Sequence, residues 1–317
     1  MKRQRLFLAV WLGVALMLSA GCGNRAKKGE KAALPTFPAI VVPTMVTEPQ
    51  AVADYVTQHY WDRFEFTDTA FLAAPEVLEQ ALADYLALLP RVSEEKAVQN
   101  MAETMKRARA DTAMYRYFVE QTDHYLWDPN SPYRNETLYI PVLEDIISFP
   151  QADPATRTRS EYRLNLARQN RPGMIASDFT YTLDSGKSGQ MHQIRSEYLI
   201  LFFNNPGCNA CAEITVQIGQ SPLMNRLQQE KQGGMPRLTV LAVYTDEELE
   251  EWRAHLPQMP AHWINSYDKG ATIKNTNLYD LKAIPTLYLL DRDKRVILKD
   301  TDVRMIEAYL QNATNAS

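Results

Sequence analysis

The chain has 317 residues, 45% of them hydrophobic, so it is long and apolar enough for about two domains of roughly 150 residues each. Its formal net charge of −4, without a large lysine and arginine cluster, argues against a nucleic-acid partner, because nucleic-acid-binding surfaces are strongly basic. Three cysteines are too few for a disulfide-stapled scaffold.

The first residues have the order of a secretory signal. Lys2, Arg3 and Arg5 precede an apolar stretch over residues 6–20, and small residues follow it directly before Cys22. The stretch is about 15 residues long, whereas a membrane-spanning helix needs roughly 20. An uncleaved membrane anchor is the alternative to a cleaved signal.

The cysteine that follows the signal resembles the lipidated cysteine of a bacterial lipobox. One departure is that Ser19 stands where the usual pattern has leucine, with Leu18 one position earlier. The resemblance implies a signal peptide over 1–21, lipidation of Cys22, and an anchored protein of the cell envelope that faces the periplasm. Gly23 after the cysteine favours the outer over the inner membrane.

The rest of the chain divides by composition into three segments. Residues 22–45 are polar and proline-containing, which predicts a tether. Residues 46–170 show helical periodicity and form a predicted small all-α domain. Its predicted helices cover 49–64, 75–89, 93–125, 136–147 and 154–169.

Residues 171–317 alternate predicted strands with predicted helices. The strands are 179–183, 198–204, 237–244, 286–291 and 296–299, and helices are predicted from about 209, over 246–255 and over 302–312. The second and third strands are continuously apolar, which is typical of strands covered on both faces. The pattern predicts an α/β domain with a central mixed sheet and flanking helices.

The chemistry-bearing segment is a Cys-x-x-Cys pair, Cys208 and Cys211, at a predicted strand–turn–helix junction. The first turn of a helix has unpaired N–H groups and a partial positive charge, which stabilise a thiolate. Cys208 is therefore the predicted nucleophile. Cys211 lies nearly one turn further along the same face, where it can attack a mixed disulfide and release the product. This chemistry needs neither a metal nor a cofactor.

Two other interpretations of the cysteine pair remain open. A zinc site needs two more ligands, and His192, His255 and His262 lack recognisable ligand spacing. An inert structural disulfide would contribute little to the stability of the folded protein, because it closes a very short loop.

Residues 173–300 resemble thioredoxin-fold proteins of the membrane-anchored, cytochrome-maturation type. The resemblance is carried by 173–179, 198–211 and 284–291. It implies that Pro285 is the cis-proline that faces the cysteines and that Ile284 pairs with an extended substrate peptide as an added strand. The implied partners are protein or peptide thiols and disulfides, and a membrane or periplasmic electron donor. Residues 46–170 resemble the helical domain of unknown function that precedes such domains in anchored lipoproteins, on the segments 59–64 and 125–136.

Several positions depart from that family pattern. Gly207 replaces the tryptophan that usually precedes the first cysteine, and Phe202 and Ile214 stand where the family has a proton-accepting acid. Glu213 is one position away and turns about 100° from the needed face. Asn209 and Ala210, between the cysteines, match neither the reductant nor the oxidant pattern, so the direction of electron flow is open.

The predicted function is a lipid-anchored thiol–disulfide oxidoreductase that reduces or isomerises disulfides in exported proteins. A thiol peroxidase is disfavoured, because Leu201 and Asn205 replace the proline and threonine or serine of peroxidatic sites. A non-catalytic binding or assembly lipoprotein is the other alternative, favoured by the large helical domain and by the missing acid.

Overall fold

Residues 34–315 are the part of the chain that the structure, a computed structural model, describes. Cys22 and the predicted signal peptide lie outside this range, so both stay predictions. The N-terminal half of the described chain is helical. Its α-helices are α1 (Pro49–Gln58), α2 (Pro75–Leu88), α3 (Glu94–Ala108), α4 (Thr112–Leu126), α5 (Glu136–Ser148) and α6 (Pro154–Arg168).

Aromatic rings fill the core of this helical part. Trp61, at the centre of the cluster, is buried, and its ring lies 5.1–5.8 Å from six other aromatic rings. Those rings belong to Phe37, Tyr60, Phe64, Phe66, Tyr85 and Phe118. The aromatic residues of the 59–64 segment, Tyr60, Trp61 and Phe64, therefore pack in the core, where their apolar area contributes stability.

Two of the predicted helices were wrong in extent. The helix predicted over 49–64 ends at Gln58, and turns follow it. Neighbouring residues on a helix point about 100° apart, and the turns let both Tyr60 and Trp61 reach the core. The helix predicted over 93–125 is two helices, because the Asp111 carboxylate accepts hydrogen bonds from Ala113 N–H and Met114 N–H and begins α4.

The C-terminal half is built on a mixed sheet. Its strands are β1 (Thr180–Leu183), β2 (Ser188–Gln190), β3 (Tyr198–Asn204), β4 (Lys231–Gln232), β5 (Met235–Pro236), β6 (Leu238–Tyr244), β7 (Ile264–Tyr267), β8 (Thr286–Asp291) and β9 (Val296–Lys299). Its α-helices are α7 (Asn209–Gln220), α8 (Pro222–Gln229), α9 (Leu249–His255), α10 (Thr272–Asn275) and α11 (Val303–Asn315).

Seven strands form the main sheet in the order β2-β1-β7-β6-β3-β8-β9, and β4 pairs with β5 separately. Strand β3 is parallel to β6 and antiparallel to β8. Alternate residues of β3 point to opposite faces: Ile200 and Phe202 belong to one buried cluster, and Leu201 belongs to the other. The sheet is therefore covered on both faces, and the predicted α/β fold with a mixed sheet and flanking helices is confirmed.

The strands predicted over 198–204, 286–291 and 296–299 are confirmed residue for residue. Strands β2, β4, β5 and β7 and helices α8 and α10 were not predicted. Strand β2 has the sequence Ser-Gly-Gln and β7 has Ile-Asn-Ser-Tyr, so neither carries an apolar run. Within residues 34–315, no helix has the length and apolarity needed to span a membrane.

Candidate functional site

The two cysteines lie where strand β3 gives way to helix α7. Cys208 is the N-cap residue of α7, in an extended conformation with φ −81° and ψ 107°. The Cys208 carbonyl accepts a hydrogen bond from the Ala212 N–H at 3.1 Å, so helical pairing begins at the first cysteine. The predicted strand–turn–helix setting of the pair is therefore the one that the chain adopts.

Gly207 explains one departure from the family pattern. Its φ of +71° lies in the left-handed region, which glycine enters without the steric cost that a side chain brings. A tryptophan at this position would be strained in the same backbone conformation. The turn before Cys208 therefore requires the glycine that the sequence supplies.

The sulfur atoms differ in exposure and in partners. Cys208 and Cys211 form a disulfide with their Cα atoms 5.2 Å apart. The Cys211 N–H points at Cys208 Sγ from 3.1 Å, so an amide of the first helical turn directly contacts the outer sulfur. Cys208 is half-buried, whereas Cys211 is only 4% exposed within the apolar cluster beneath α7. An incoming group can therefore reach Cys208 but not Cys211.

The loop before β8 faces the disulfide. The peptide bond between Ile284 and Pro285 is cis, and the carbonyl oxygen of Ile284 lies 3.9 Å from Cys208 Sγ. Within residues 34–315, neither the N–H nor the carbonyl of Ile284 takes part in a backbone–backbone hydrogen bond. The structure thus brings together all four predicted residues of the site that it describes, and leaves the backbone of Ile284 open beside the sulfur.

Hydrogen bonds among three polar side chains, which were not predicted from the sequence, support the turn before Cys208. Asn205 Nδ2 donates to Asp246 Oδ2 at 2.5 Å, and Lys274 Nζ donates to Asp246 Oδ1 at 2.7 Å. Asn205 and Asp246 follow the neighbouring parallel strands β3 and β6. The carboxyl ends of parallel strands share one edge of a sheet, so their order along the chain could have predicted this contact.

The surroundings of Cys211 are apolar at the positions where the family has an acid. Phe202 belongs to the hydrophobic cluster that contains Cys211, Ile214 packs against that cluster, and Glu213 is exposed. The hydroxyl of Thr215 donates a hydrogen bond to the Cys211 carbonyl at 2.9 Å. None of these three positions therefore supplies a carboxylate beside the buried sulfur.

In the part of the chain that the structure describes, metal ligands are not assembled around the cysteines. Over the described range 34–315, no group of three or more histidine, cysteine, aspartate and glutamate side chains is placed to hold a metal ion. His192 Nε2 instead lies 2.7 Å from the carbonyl oxygen of Ala176.

Comparison with solved structures identifies the family. A thioredoxin-like protein from Bacteroides caccae ATCC 43185 is 44% identical over 88% of this chain and 99% of its own, with a TM-score of 0.84. The chain belongs to the thioredoxin-like family. Within this family member, residues 196–296 match the thioredoxin-like family model, and residues 20–170 match a domain of unknown function, DUF5106.

Two further solved structures match parts of this thioredoxin-like protein. The C-terminal domain of an uncharacterized protein from Bacteroides fragilis NCTC 9343 is 50% identical over 45% of this chain and 98% of its own, with a TM-score of 0.43. A domain of a possible thiol-disulfide isomerase from Cytophaga hutchinsonii ATCC 33406 is 23% identical over 47% of this chain and 97% of its own, with a TM-score of 0.40. A search of curated proteins finds no match.

Proposed function

We propose that this protein is a lipid-anchored thiol–disulfide oxidoreductase that reduces or isomerises disulfides in exported proteins. The observation that carries the proposal is the contact between the Cys211 N–H and Cys208 Sγ at the start of α7. A backbone amide and the positive end of a helix both stabilise negative charge, so they favour the thiolate of the reduced Cys208. The thiolate is the nucleophilic form of cysteine.

The proposed reaction starts from the reduced pair. The Cys208 thiolate attacks one sulfur of a substrate disulfide, the substrate S–S bond breaks, and its second sulfur leaves as a thiolate that takes up a proton. Cys211 then loses its proton and attacks Cys208 Sγ, which breaks the mixed disulfide and releases the other substrate thiol. The substrate gains two electrons, and the protein is left with the Cys208–Cys211 disulfide. A membrane or periplasmic electron donor would return the disulfide to the dithiol.

The open backbone of Ile284 is the proposed docking point for the substrate chain. An extended peptide can pair with a free N–H and carbonyl as an added strand. Because the Ile284 carbonyl is 3.9 Å from Cys208 Sγ, a peptide paired there would present its disulfide to the outer sulfur. Recognition through backbone atoms would make the protein tolerant of substrate sequence.

Replacement of Cys208 tests the proposed activity. We expect the wild-type protein to accelerate reduction of insulin by dithiothreitol, and Cys208→Ser to return the rate to that of dithiothreitol alone, because serine cannot form the mixed disulfide. Precipitation of the insulin B chain reports the rate. The control is Thr215→Ser, which keeps the hydroxyl that bonds the Cys211 carbonyl. Wild-type rates from the Cys208→Ser protein would refute the proposal.

The proposed location is the cell envelope, with the protein body facing the periplasm and held by lipid on Cys22, in the outer rather than the inner membrane. Acyl chains on that cysteine would supply the membrane affinity, because each buried CH₂ contributes about 0.8 kcal/mol. The support is the signal-like sequence before Cys22 and its lipobox resemblance.

Replacement of Cys22 tests the anchor. We expect the wild-type protein to partition into the detergent phase of Triton X-114 and the Cys22→Ala protein to move to the aqueous phase, because the acyl chains have no attachment point. Labelling with a fatty-acid analogue should be lost in the same variant. Unchanged partition together with unchanged labelling would exclude lipidation of Cys22.

A further inference from the structure

A network of charged side chains joins the helical half to the loop that carries Ile284 and Pro285. Asp280 and Lys282 lie in this loop, and Lys282 is two residues before Ile284. On the other side of the network stand Trp127, at the end of α4, and Glu136, in the first turn of α5. The helical half therefore contacts this loop two residues before the proposed docking point.

Lys282 is the centre of this network. Its Nζ lies 3.5 Å from the centroid of the buried Trp127 ring, donates a hydrogen bond to Asp280 and lies 3.5 Å from Glu136 Oε1. An ammonium over an indole face is a favourable cation–π geometry. Burial lowers the pKa of Lys282 from its ordinary value, and the Asp280 carboxylate acts in the opposite direction. The ammonium is thus held between a ring and two carboxylates.

Glu136 also contacts the edge strand β9. Its Oε2 lies 2.7 Å from Lys299 Nζ on β9, and that lysine also donates to the carbonyl of Gln169 at 2.8 Å. Arg134 pairs with Asp300 beside it. The Glu136 side chain is only 14% exposed, so its two ion pairs are poorly screened by water. One carboxylate of the helical half therefore contacts a lysine in the loop before β8 and a lysine on β9.

We propose that Glu136 and Trp127 of the helical half are positioning residues that hold the loop over 280–285 in the shape that receives the substrate peptide. The proposal rests on the docking role of Ile284 given above. Positions 283–285 make no backbone–backbone hydrogen bonds outside helices and strands in the described chain. Side-chain contacts such as those of Lys282 therefore carry much of the restraint on this loop.

The matched pair Glu136→Gln and Glu144→Gln tests this role. Both glutamates are on α5, but Glu144 is 47% exposed and pairs with Arg168 inside the helical half. The first measurement is hydrogen–deuterium exchange in peptides that cover 279–287. We expect Glu136→Gln to speed exchange there while Glu144→Gln leaves it at the wild-type rate. Trp127→Phe, which keeps an aromatic core side chain, should act in the same direction.

The second measurement is single-turnover reduction of a disulfide peptide by the pre-reduced protein. We expect Glu136→Gln to raise the half-saturating peptide concentration about fivefold, which is the size of effect typical of residues that contact one another. The limiting rate should stay within about twofold of the wild-type rate. A purely structural role would lower the unfolding temperature of Glu136→Gln without changing this concentration well below that temperature. The reaction at Cys208 should be unaffected, because the network does not touch either sulfur.

The two measurements separate this inference from the proposed function. If the wild-type protein reduces the peptide and Glu136→Gln behaves like Glu144→Gln in both assays, the positioning role is wrong and the oxidoreductase stands. If exchange in the loop rises in Glu136→Gln but the wild-type protein reduces no disulfide, the loop restraint stands and the oxidoreductase is wrong. Faster exchange together with a raised half-saturating concentration supports both.

Discussion

Cys211→Ser is expected to convert the protein into a trap for its substrates. In this variant the Cys208 thiolate still attacks a substrate disulfide, but no second thiol can break the mixed disulfide. Intramolecular attack by an oriented group has a very large effective concentration, so its loss should lengthen the lifetime of the complex by at least about a hundredfold. Mass spectrometry of non-reduced samples should show a covalent adduct that reductant removes.

The matched control for the trap is Cys208→Ser, which keeps only the inner sulfur. Because Cys211 is 4% exposed, we expect this variant to form no adduct with the same disulfide peptide. Equal adduct formation by the two single variants would contradict the assignment of Cys208 as nucleophile and Cys211 as resolving thiol.

The central part of the fold could be predicted because local sequence and tertiary structure agree there. Residues 198–204 are apolar enough to be buried on both faces, and the strand occupies those positions. The helix start at Cys208 was signalled by the Pro206–Gly207 turn. At these positions, the burial of the strand and the geometry of the turn each restrict which residue types can occur, so the sequence indicates both.

Other elements have weaker sequence signals, or signals that were not recognised. Strand β7 contains only one aliphatic residue, Ile264, yet it pairs with both β1 and β6, so its place depends on its neighbours. Helix α8 could have been predicted from its first residues. The Ser221 hydroxyl oxygen caps it by accepting a hydrogen bond from Met224 N–H, and Pro222 occupies its first turn. Both are recognised start signals.

The contacts around the site that were missed are long-range ion pairs and hydrogen bonds. Glu136 and Lys282 look like ordinary surface charges, and only the packing of the two halves brings them within 3.5 Å. Asn205 and Asp246 are 41 positions apart, and only the order of the strands could have indicated their contact, because they follow the paired strands β3 and β6. Charge and polarity alone cannot indicate such partners, since most charged residues are solvated.

Cys208 in the reduced protein is expected to react with iodoacetamide far faster than an ordinary cysteine. The Cys211 N–H lies 3.1 Å from its sulfur, and the start of α7 adds a partial positive charge, so a larger fraction of Cys208 should be thiolate at neutral pH. Cysteines in such settings ionise more readily than the free residue. The half-buried position still leaves the sulfur accessible to a small reagent.

The rate of carbamidomethylation at Cys208, followed by mass spectrometry across a pH series, tests most directly whether Cys208 is an activated nucleophile. The reference is a reduced, unfolded peptide of residues 204–213, which contains the same two cysteines without the helix. We predict modification of Cys208 in the folded protein at neutral pH at least about tenfold faster than in the peptide, with Cys211 protected. Equal rates in protein and peptide over the whole series would contradict an activated nucleophile at this position.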